Sequence, residues 1–591
     1  MAPLALALYL VLFAIELSNS VLWGPFSTID EQLQYYQAGR NFAQYGFIGN
    51  AFLPDLSTGS APAAHPYLYN HQPPGPQMLV GALIRLFGEH YRLIRLIFAG
   101  FFTLGMAACL RACRIVELVG LRYASLSFLL VRPVTVMHMI DHPAYSLFPL
   151  VAFLPIVALY RYHQTGHRWW VGIAAATVFA GSNYLIYGPL LMLLVFWTLG
   201  TLFRFLPMRE RELVLLIGFT AAAVALHLLQ SVAVLGPGLF AKEVWLTISN
   251  RTLGRPTHHE LETFYNSLGF VLYGSHRWSG GRFASAIAST LRIRAYAPPA
   301  VAVLILFAAS RRFRHQRASA ADEREQSPGM LGRIAASVIA ALLTPFVMFP
   351  AFSSDYGLLG MNEFLLGILA AASLGFAFRL LAVGPYTSTM RRRLGALLLA
   401  GIGWLGVVQI HGAAQVARDL RNWARGPSTE AEFLSAAPLV AGQVVMTNVD
   451  PTIAGFFTRE LAFGGCREAS LASPTPDPSQ CLVRFIRGWP RTAPQPPAAY
   501  LWFAEGNAFC TDSPACVSRE DLDRRFKRLF SARTVAVYDL TTRPQSLSLA
   551  DDRTVPAPVR LSHRGEIPLM SASPQNPSAV QTSGAPIPWC C

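Results

Sequence analysis

Two neighbouring carboxylates, Asp30 and Glu31, follow the first apolar run of the chain. Adjacent carboxylates repel, so one of them holds a proton more tightly, or the pair binds a cation. The same residues complete Thr28-Ile29-Asp30-Glu31, an S/T-x-x-E capping box that starts a helix and would hold Asp30 rigidly. Further on comes Tyr69-Asn70-His71-Gln72-Pro73-Pro74-Gly75, in which Tyr69 and His71 could line a pocket or cap the turn. Arg92 and Arg95 open the next apolar run, where a guanidinium can meet a phosphate or snorkel to headgroups. Asp141-His142 stands before Pro143, either as a polar helix terminus or as part of a site. His258, His259, Glu260 and Glu262 form a dense cluster, with His258 and Glu262 on one helix face. Lacking a further ligand, this cluster is a solvated helix start rather than a metal centre. Arg251, Arg255, Arg277 and Arg282 are phosphate candidates, and Tyr273 and Trp278 are aromatic anchors or sugar-stacking rings.

These residues need a scaffold, and composition says which kind. Hydrophobic residues make up 53% and charged residues 14% of 591, and the mean hydropathy is +0.37. A soluble chain carries about 25% charged residues, so most of this one belongs in lipid. The net charge of +15 resides in short basic clusters between apolar runs, which excludes a nucleic-acid partner.

Apolar runs long enough to span a bilayer begin with Ala2 to Trp23. That run lacks a basic n-region, so it is expected to be a retained helix rather than a leader. Others lie near 93–112, 121–140, 143–160, 169–182, 185–205, 213–235, 296–310, 331–350, 362–383 and 394–411, about eleven spans in total. Arg111 and Arg114, then Arg161 to Arg168, Arg204 to Arg211, Arg311 to Arg317 and Arg391 to Arg393 fall in every second connection. Basic short loops stay in the cytoplasm. Loops 24–92 and 236–295 and everything after about 411 are therefore expected outside.

The expected fold is an all-α polytopic membrane domain, 1–411, with an extracytoplasmic small α/β domain, 412–545, and a Pro/Ser-rich, loosely ordered tail, 546–591. In the α/β domain, strands are predicted at Val444 to Met446, Tyr500 to Phe503 and Thr534 to Tyr538, and a helix over Asp521 to Leu529. Cys466, Cys481, Cys510 and Cys516 lie in this compartment, where disulfides persist; at least one bond is expected, and three pairings stay open.

The first 115 residues resemble the GT-C membrane glycosyltransferases, nearest the protein O-mannosyltransferase and lipid A aminoarabinose transferase group. The resemblance rests on four motifs in order: Asp30-Glu31, Tyr69 to Gly75, an interfacial helix ending Leu86-Phe87-Gly88, and Arg95. Two departures stand out. Gln72 separates His71 from Pro73-Pro74, and Asn183-Tyr184 occupies an outer loop where many relatives have Lys. The resemblance implies a sugar donor on a polyprenyl phosphate and an acceptor hydroxyl on an envelope lipid, glycan or protein. It implies Asp30 as base with Glu31 beside it, and Tyr69, His71, Arg95, Asp141 and His142 around the substrate. It requires no certain cofactor, although the carboxylate pair could take a divalent cation. A transporter or flippase and a polysaccharide polymerase or ligase are the alternatives. No internal repeat supports the former, and the early large outer loop disfavours the latter.

Overall fold

In a computed structural model the described residues are 2–19, 21–22, 29–48, 51–59, 68, 72–115, 133–185, 187–248, 328–348, 387–424, 429–448, 451–460, 462–464, 497–504 and 519–541, with 365, 377 and 381 as single positions. The side chains of Asp30 and Glu31 lie outside this set, as do Thr28, Tyr69, His71, the 258–262 cluster, the loop arginines, the tail beyond 541 and the four outer cysteines.

The chain is mostly helical. Its first helices are α1 (Ala2–Asn19), α2 (Ile29–Tyr45), α3 (Gly75–Phe87), α4 (Tyr91–Ile115), α5 (Pro133–Asp141), α6 (Phe148–Thr165), α7 (Trp169–Ser182) and α8 (Tyr187–Leu202). They are followed by α9 (Glu210–Leu235), α10 (Pro237–Ile248), α11 (Pro328–Met348) and α12 (Ser388–Ala424). By length and composition α4, α9 and α12 can cross a membrane, and parts of α1, α3, α7, α8 and α11 are shorter apolar helices. The two short helices expected around 169–205 are separate, broken at Asn183 to Leu185. At 37 residues, α12 is about 55 Å long, far beyond the ~30 Å hydrocarbon core. It runs past the expected domain boundary at 411 and ends at Ala424.

Local chemistry explains the boundaries around the first loop. The interfacial helix expected to end at Leu86-Phe87-Gly88 is α3, which stops when Gly88, at φ 72°, closes back on the Ile84 carbonyl. That conformation suits a residue without Cβ. Helix α2 packs on α3 where two glycines meet: a Cβ on Gly39 would come within 2.4 Å of Val80, and one on Gly81 within 2.7 Å of Phe42. Beyond Asp141, Pro143 does not open a helix. Residues 143–147 form a turn, and α6 begins at Phe148 with Pro149 in its first turn.

The C-terminal part contains α13 (Thr429–Ala436), a 3-10 turn (Ala437–Val440), β1 (Val445–Thr447), α14 (Pro451–Thr458), β2 (Ala462–Gly464), β3 (Ala499–Phe503), α15 (Arg519–Arg525), β4 (Lys527–Ser531) and β5 (Val535–Asp539). The sheet order is β2-β1-β3-β5-β4. Strands β2, β1 and β3 run parallel, and β5 is antiparallel to both β3 and β4. The three predicted strands are β1, β3 and β5. The helix predicted over 521–529 is cut short: Lys527 pairs with Asp539 and Arg528 with Tyr538 in the sheet. Cross-strand pairing overrides the local charge pattern there. One apolar cluster runs from the helices into one face of this sheet, and a second, around Tyr500, Trp502 and Tyr538, covers the other face.

Candidate functional site

Arg95, one turn into α4, is fully buried, as are Glu16 near the end of α1 and Asp141 at the end of α5. The Arg95 guanidinium donates through Nε to Asp141 Oδ1, through Nη1 to the Val21 carbonyl at 2.7 Å and through Nη2 to Glu16 Oε1 at 3.3 Å. Phe13 lies 5.5 Å beneath it. Asp141 Oδ2 accepts from the Gln32 amide at 2.8 Å. One guanidinium thus joins α1, α4, α5 and, through Asp141, α2. A planar fork with several donors is suited to this task, and a Lys ammonium is not. An acid inside an apolar helix such as α1 must face protein, and Arg95 is what Glu16 faces.

Helix α2 presents Gln32, Tyr36 and Arg40 at i, i+4 spacing, one stripe along its axis. Tyr36 is fully buried and stands edge-on to Tyr91, with centroids 5.3 Å apart. Arg40 donates to the Tyr91 hydroxyl at 2.9 Å and to the Phe456 carbonyl at 3.1 Å, and it lies 4.0 Å over the Phe456 ring. It also pairs with Glu89 at 3.2 Å. Glu89 is in turn gripped by Arg459, with one contact at 3.0 Å. Burial alone would raise the Glu89 carboxyl. Hydrogen bonds from Arg459 and Tyr91 and the charge of Arg40 outweigh it and bring it down to about 2.

The C-terminal part touches the first loop elsewhere too. Glu430 accepts from the backbone N–H groups of Val21 and Leu22 at 3.0 and 3.2 Å. Thr58 Oγ1 accepts from Ala462 N at 3.2 Å. Inside the loop, Asn41 and Gln37 donate to the Asp55 and Ser57 carbonyls.

Next to Asp141 lies an aromatic cluster. His142 stacks on Tyr145 at 4.1 Å and meets the edge of Tyr35 at 5.2 Å, while Tyr35 O–H donates to Gln72 Oε1 at 3.1 Å. Burial pushes the His142 imidazole down to about 3, against the pull of Asp141, so it is neutral at physiological pH. Behind Gln72, Gly75 N donates to the Asn183 carbonyl at 2.8 Å, and the Tyr184 hydroxyl donates to the Pro143 carbonyl. Both departures from the family motif, Gln72 and Asn183-Tyr184, are therefore built into one packed corner.

The fold brings Arg95 onto Asp141, with His142 the next residue along the chain. Asp30 and Glu31 form the first turn of α2, with Asp30 two residues, about 3 Å of axial rise, before Gln32. Tyr69 and His71 lie outside the described residues, between Leu68, which bridges to Asp55, and Gln72. The end of α1, the start of α4, the α5–α6 turn, the α7–α8 turn and the C-terminal part all meet on one side of the helices. The Arg161–Arg168 and Arg204–Arg211 connections meet each other, through His163 and Glu212 at 3.0 Å. Among the described residues no group of three or more His, Cys, Asp or Glu side chains is arranged to hold a metal ion.

Sequence reasoning passed over Glu16, Gln32, Arg40, Glu89 and Arg459. Glu16 carried a usable signal, as an acid within an apolar helix next to a guanidinium-bearing one. Gln32 and Arg40 carried a weaker one, the i, i+4 polar stripe inside an otherwise buried helix. Nothing in the sequence pairs Glu89 with Arg459.

No family model matches the chain, and no curated protein does. Solved structures do resemble its layout. ArnT from Cupriavidus metallidurans bound to undecaprenyl phosphate is 16% identical, with a TM-score of 0.49, covering 91% of this chain and 97% of that one. The same protein in the apo state gives 16% and 0.44 over the same shares. The apo Archaeoglobus fulgidus oligosaccharyltransferase gives 12% and 0.41, covering 89% of this chain and 73% of that one. Both of these proteins are GT-C glycosyltransferases. At these values the likeness is one of layout and carries no residue correspondence.

Proposed function

We propose that the chain is an integral membrane glycosyltransferase of the inner (plasma) membrane. It transfers a sugar from a polyprenyl-phosphate donor to an acceptor hydroxyl on an envelope lipid, glycan or protein at the extracytoplasmic face. The observation that carries this reading is the tether between the carboxylate-bearing first turn of α2 and the buried Arg95–Asp141–Glu16 node, through Gln32. A bare capping box needs no such support. The basic connections on the opposite side support an outward-facing site.

In the transfer, the acceptor oxygen bonds to the anomeric carbon as the bond from that carbon to the phosphate oxygen breaks. The electron pair leaves with the polyprenyl phosphate, and the acceptor proton passes to Asp30 as general base. Glu31 adds negative charge beside an oxocarbenium-like transition state. His142, neutral, together with Tyr69 and His71, contributes hydrogen bonds to sugar or acceptor rather than positive charge. Arg95 and Asp141 hold the frame: the Asp141 oxygens are engaged by Arg95 and Gln32.

The test uses purified protein in vesicles with polyprenyl-phosphate sugars, reading released polyprenyl phosphate. Asp30→Asn keeps a good helix cap but cannot take a proton, so turnover should fall by ~10²–10⁴. Glu31→Gln should fall less, with both proteins at normal level. Near-normal turnover in Asp30→Asn would leave only the capping role.

A further inference from the structure

We propose that Gln32 is a positioning residue for this reaction: by binding Asp141 it fixes the rotation and depth of the α2 turn that carries Asp30. The proposal rests on the assignment of Asp30 as the base.

Helix α2 is pinned at two places along one stripe. At its C-terminal half, Arg40 is held by Glu89, the Tyr91 hydroxyl and the Phe456 carbonyl. At its N-terminal end, the Gln32 amide meets Asp141 at 2.8 Å. Gln32 and Arg40 are eight residues apart, about 12 Å along the axis. Between them Tyr36 contributes only its ring: its hydroxyl has no hydrogen-bond partner among the described residues. The Arg40 end is therefore fixed whether or not Gln32 is present, while at the end bearing Asp30 Gln32 makes the bond to the buried node and Tyr35, on Gln72 and His142, makes a second, part-buried contact. The Asp141 side of the bond is rigid, because Arg95 and the end of α5 hold it in a fully buried setting.

The lever is short and steep. A carboxylate stands about 5 Å from a helix axis whose Cα radius is ~2.3 Å. A 20° turn of the N-terminal end would move it by about 1.7 Å. A misplacement of about 1 Å costs on the order of a hundredfold in rate. Gln32 touches neither donor nor acceptor in this account, so its loss should act on the chemical step and not on substrate binding.

The experiment compares Gln32→Met, which keeps length without a donor, with Gln32→His, which keeps an N–H, in purified protein reconstituted in vesicles. The expected result for Gln32→Met is a ten- to hundredfold loss in kcat, KM for the lipid-linked sugar within threefold, unchanged protein level, and a melting temperature lowered by only a few degrees, because Asp141 Oδ2 loses one buried donor. Gln32→His should recover part of the loss. In an Asp30→Asn background Gln32→Met should add less than twofold, because a base that is absent cannot be misplaced. Normal kcat in Gln32→Met beside a crippled Asp30→Asn overturns the positioning role alone. A full additive loss in the double variant, or losses that track protein level in both Gln32 variants, also overturns it. Normal turnover in Asp30→Asn overturns the base assignment, and the positioning role with it.

Discussion

Arg95→Met tests whether the buried node holds the helices together. The substitution removes the guanidinium that faces two carboxylates fully buried with it. Breaking a buried pair by removing one partner costs about 3–5 kcal/mol, because the remaining charge stays desolvated. Full burial means no discount for solvent screening. At roughly 2 °C per kcal/mol for a large domain, the melting temperature in detergent should fall by about 6–10 °C. The loss should be accompanied by release of the Val21 carbonyl, which Arg95 also binds. Replacing the three charges together, as Glu16→Leu, Arg95→Met and Asp141→Leu, removes the uncompensated carboxylates. Melting should then recover most of the loss, as apolar replacements of buried ion pairs often do. Turnover should stay low, since Gln32 loses its acceptor. The measurements are differential scanning fluorimetry on purified protein and turnover in vesicles. An Arg95→Met protein that melts within 2 °C of the parent would refute the reasoning, as would a triple variant that melts lower than Arg95→Met.

Two further predictions concern the contacts around the first loop. The Glu89 carboxyl is lowered to about 2 in the folded protein, below its ordinary value, so its stabilising effect is complete above about pH 4.5 and is lost as pH falls toward 2. With Glu89 32% and Arg459 55% exposed at the side chain, the effect is discounted for screening to on the order of 1–2 kcal/mol. Glu89→Gln should melt lower at pH 6 but lose less than the parent between pH 5 and pH 3; parallel melting curves would contradict this. Gly75→Ala places a Cβ 2.4 Å from the Asn183 carbonyl oxygen and 2.9 Å from Tyr184 Cα. Backbone must move on both sides, at a cost of about 1–3 kcal/mol. A Gly75→Ala protein with unaltered melting would show that these two backbone segments separate at little cost.

The parts of the fold legible in the sequence are those governed by local chemistry. Helix α2, the stop at Gly88, the long apolar α4 and α9 and the break at Asn183 each follow from periodicity or composition within one element. Three strands of the sheet were legible as apolar runs between turn residues. Strand β4 was not, because Arg524 to Leu529 has helical charge spacing and becomes a strand only when β5 is alongside. The site divides in the same way. Asp141, His142 and Arg95 stood out as polar residues at the ends of apolar runs. Glu16 was passed over, since its partner Arg95 is 79 residues away. The bond between Glu89 and Arg459 spans 370 residues, and no local pattern records it.

The two ends of α2 are held by interactions of different kinds, and the difference follows from where each end sits. At the Gln32 end every partner is buried, so the Coulomb attraction within the node is weakly screened and insensitive to salt. At the Arg40 end, Glu89 and Arg459 are part-exposed, and salt and water weaken their attraction. Helix α2 is thus held at its N-terminal turn by buried contacts and at its C-terminal half by a set that reaches the part-exposed Glu89–Arg459 pair and the Phe456 carbonyl of the C-terminal part. Under the proposed function, that arrangement would keep Asp30 in place as the proton acceptor while donor and acceptor bind. It also explains why an isolated capping box would not suffice: a cap orders a helix relative to itself, whereas Gln32 and Arg95 order it relative to the membrane helices.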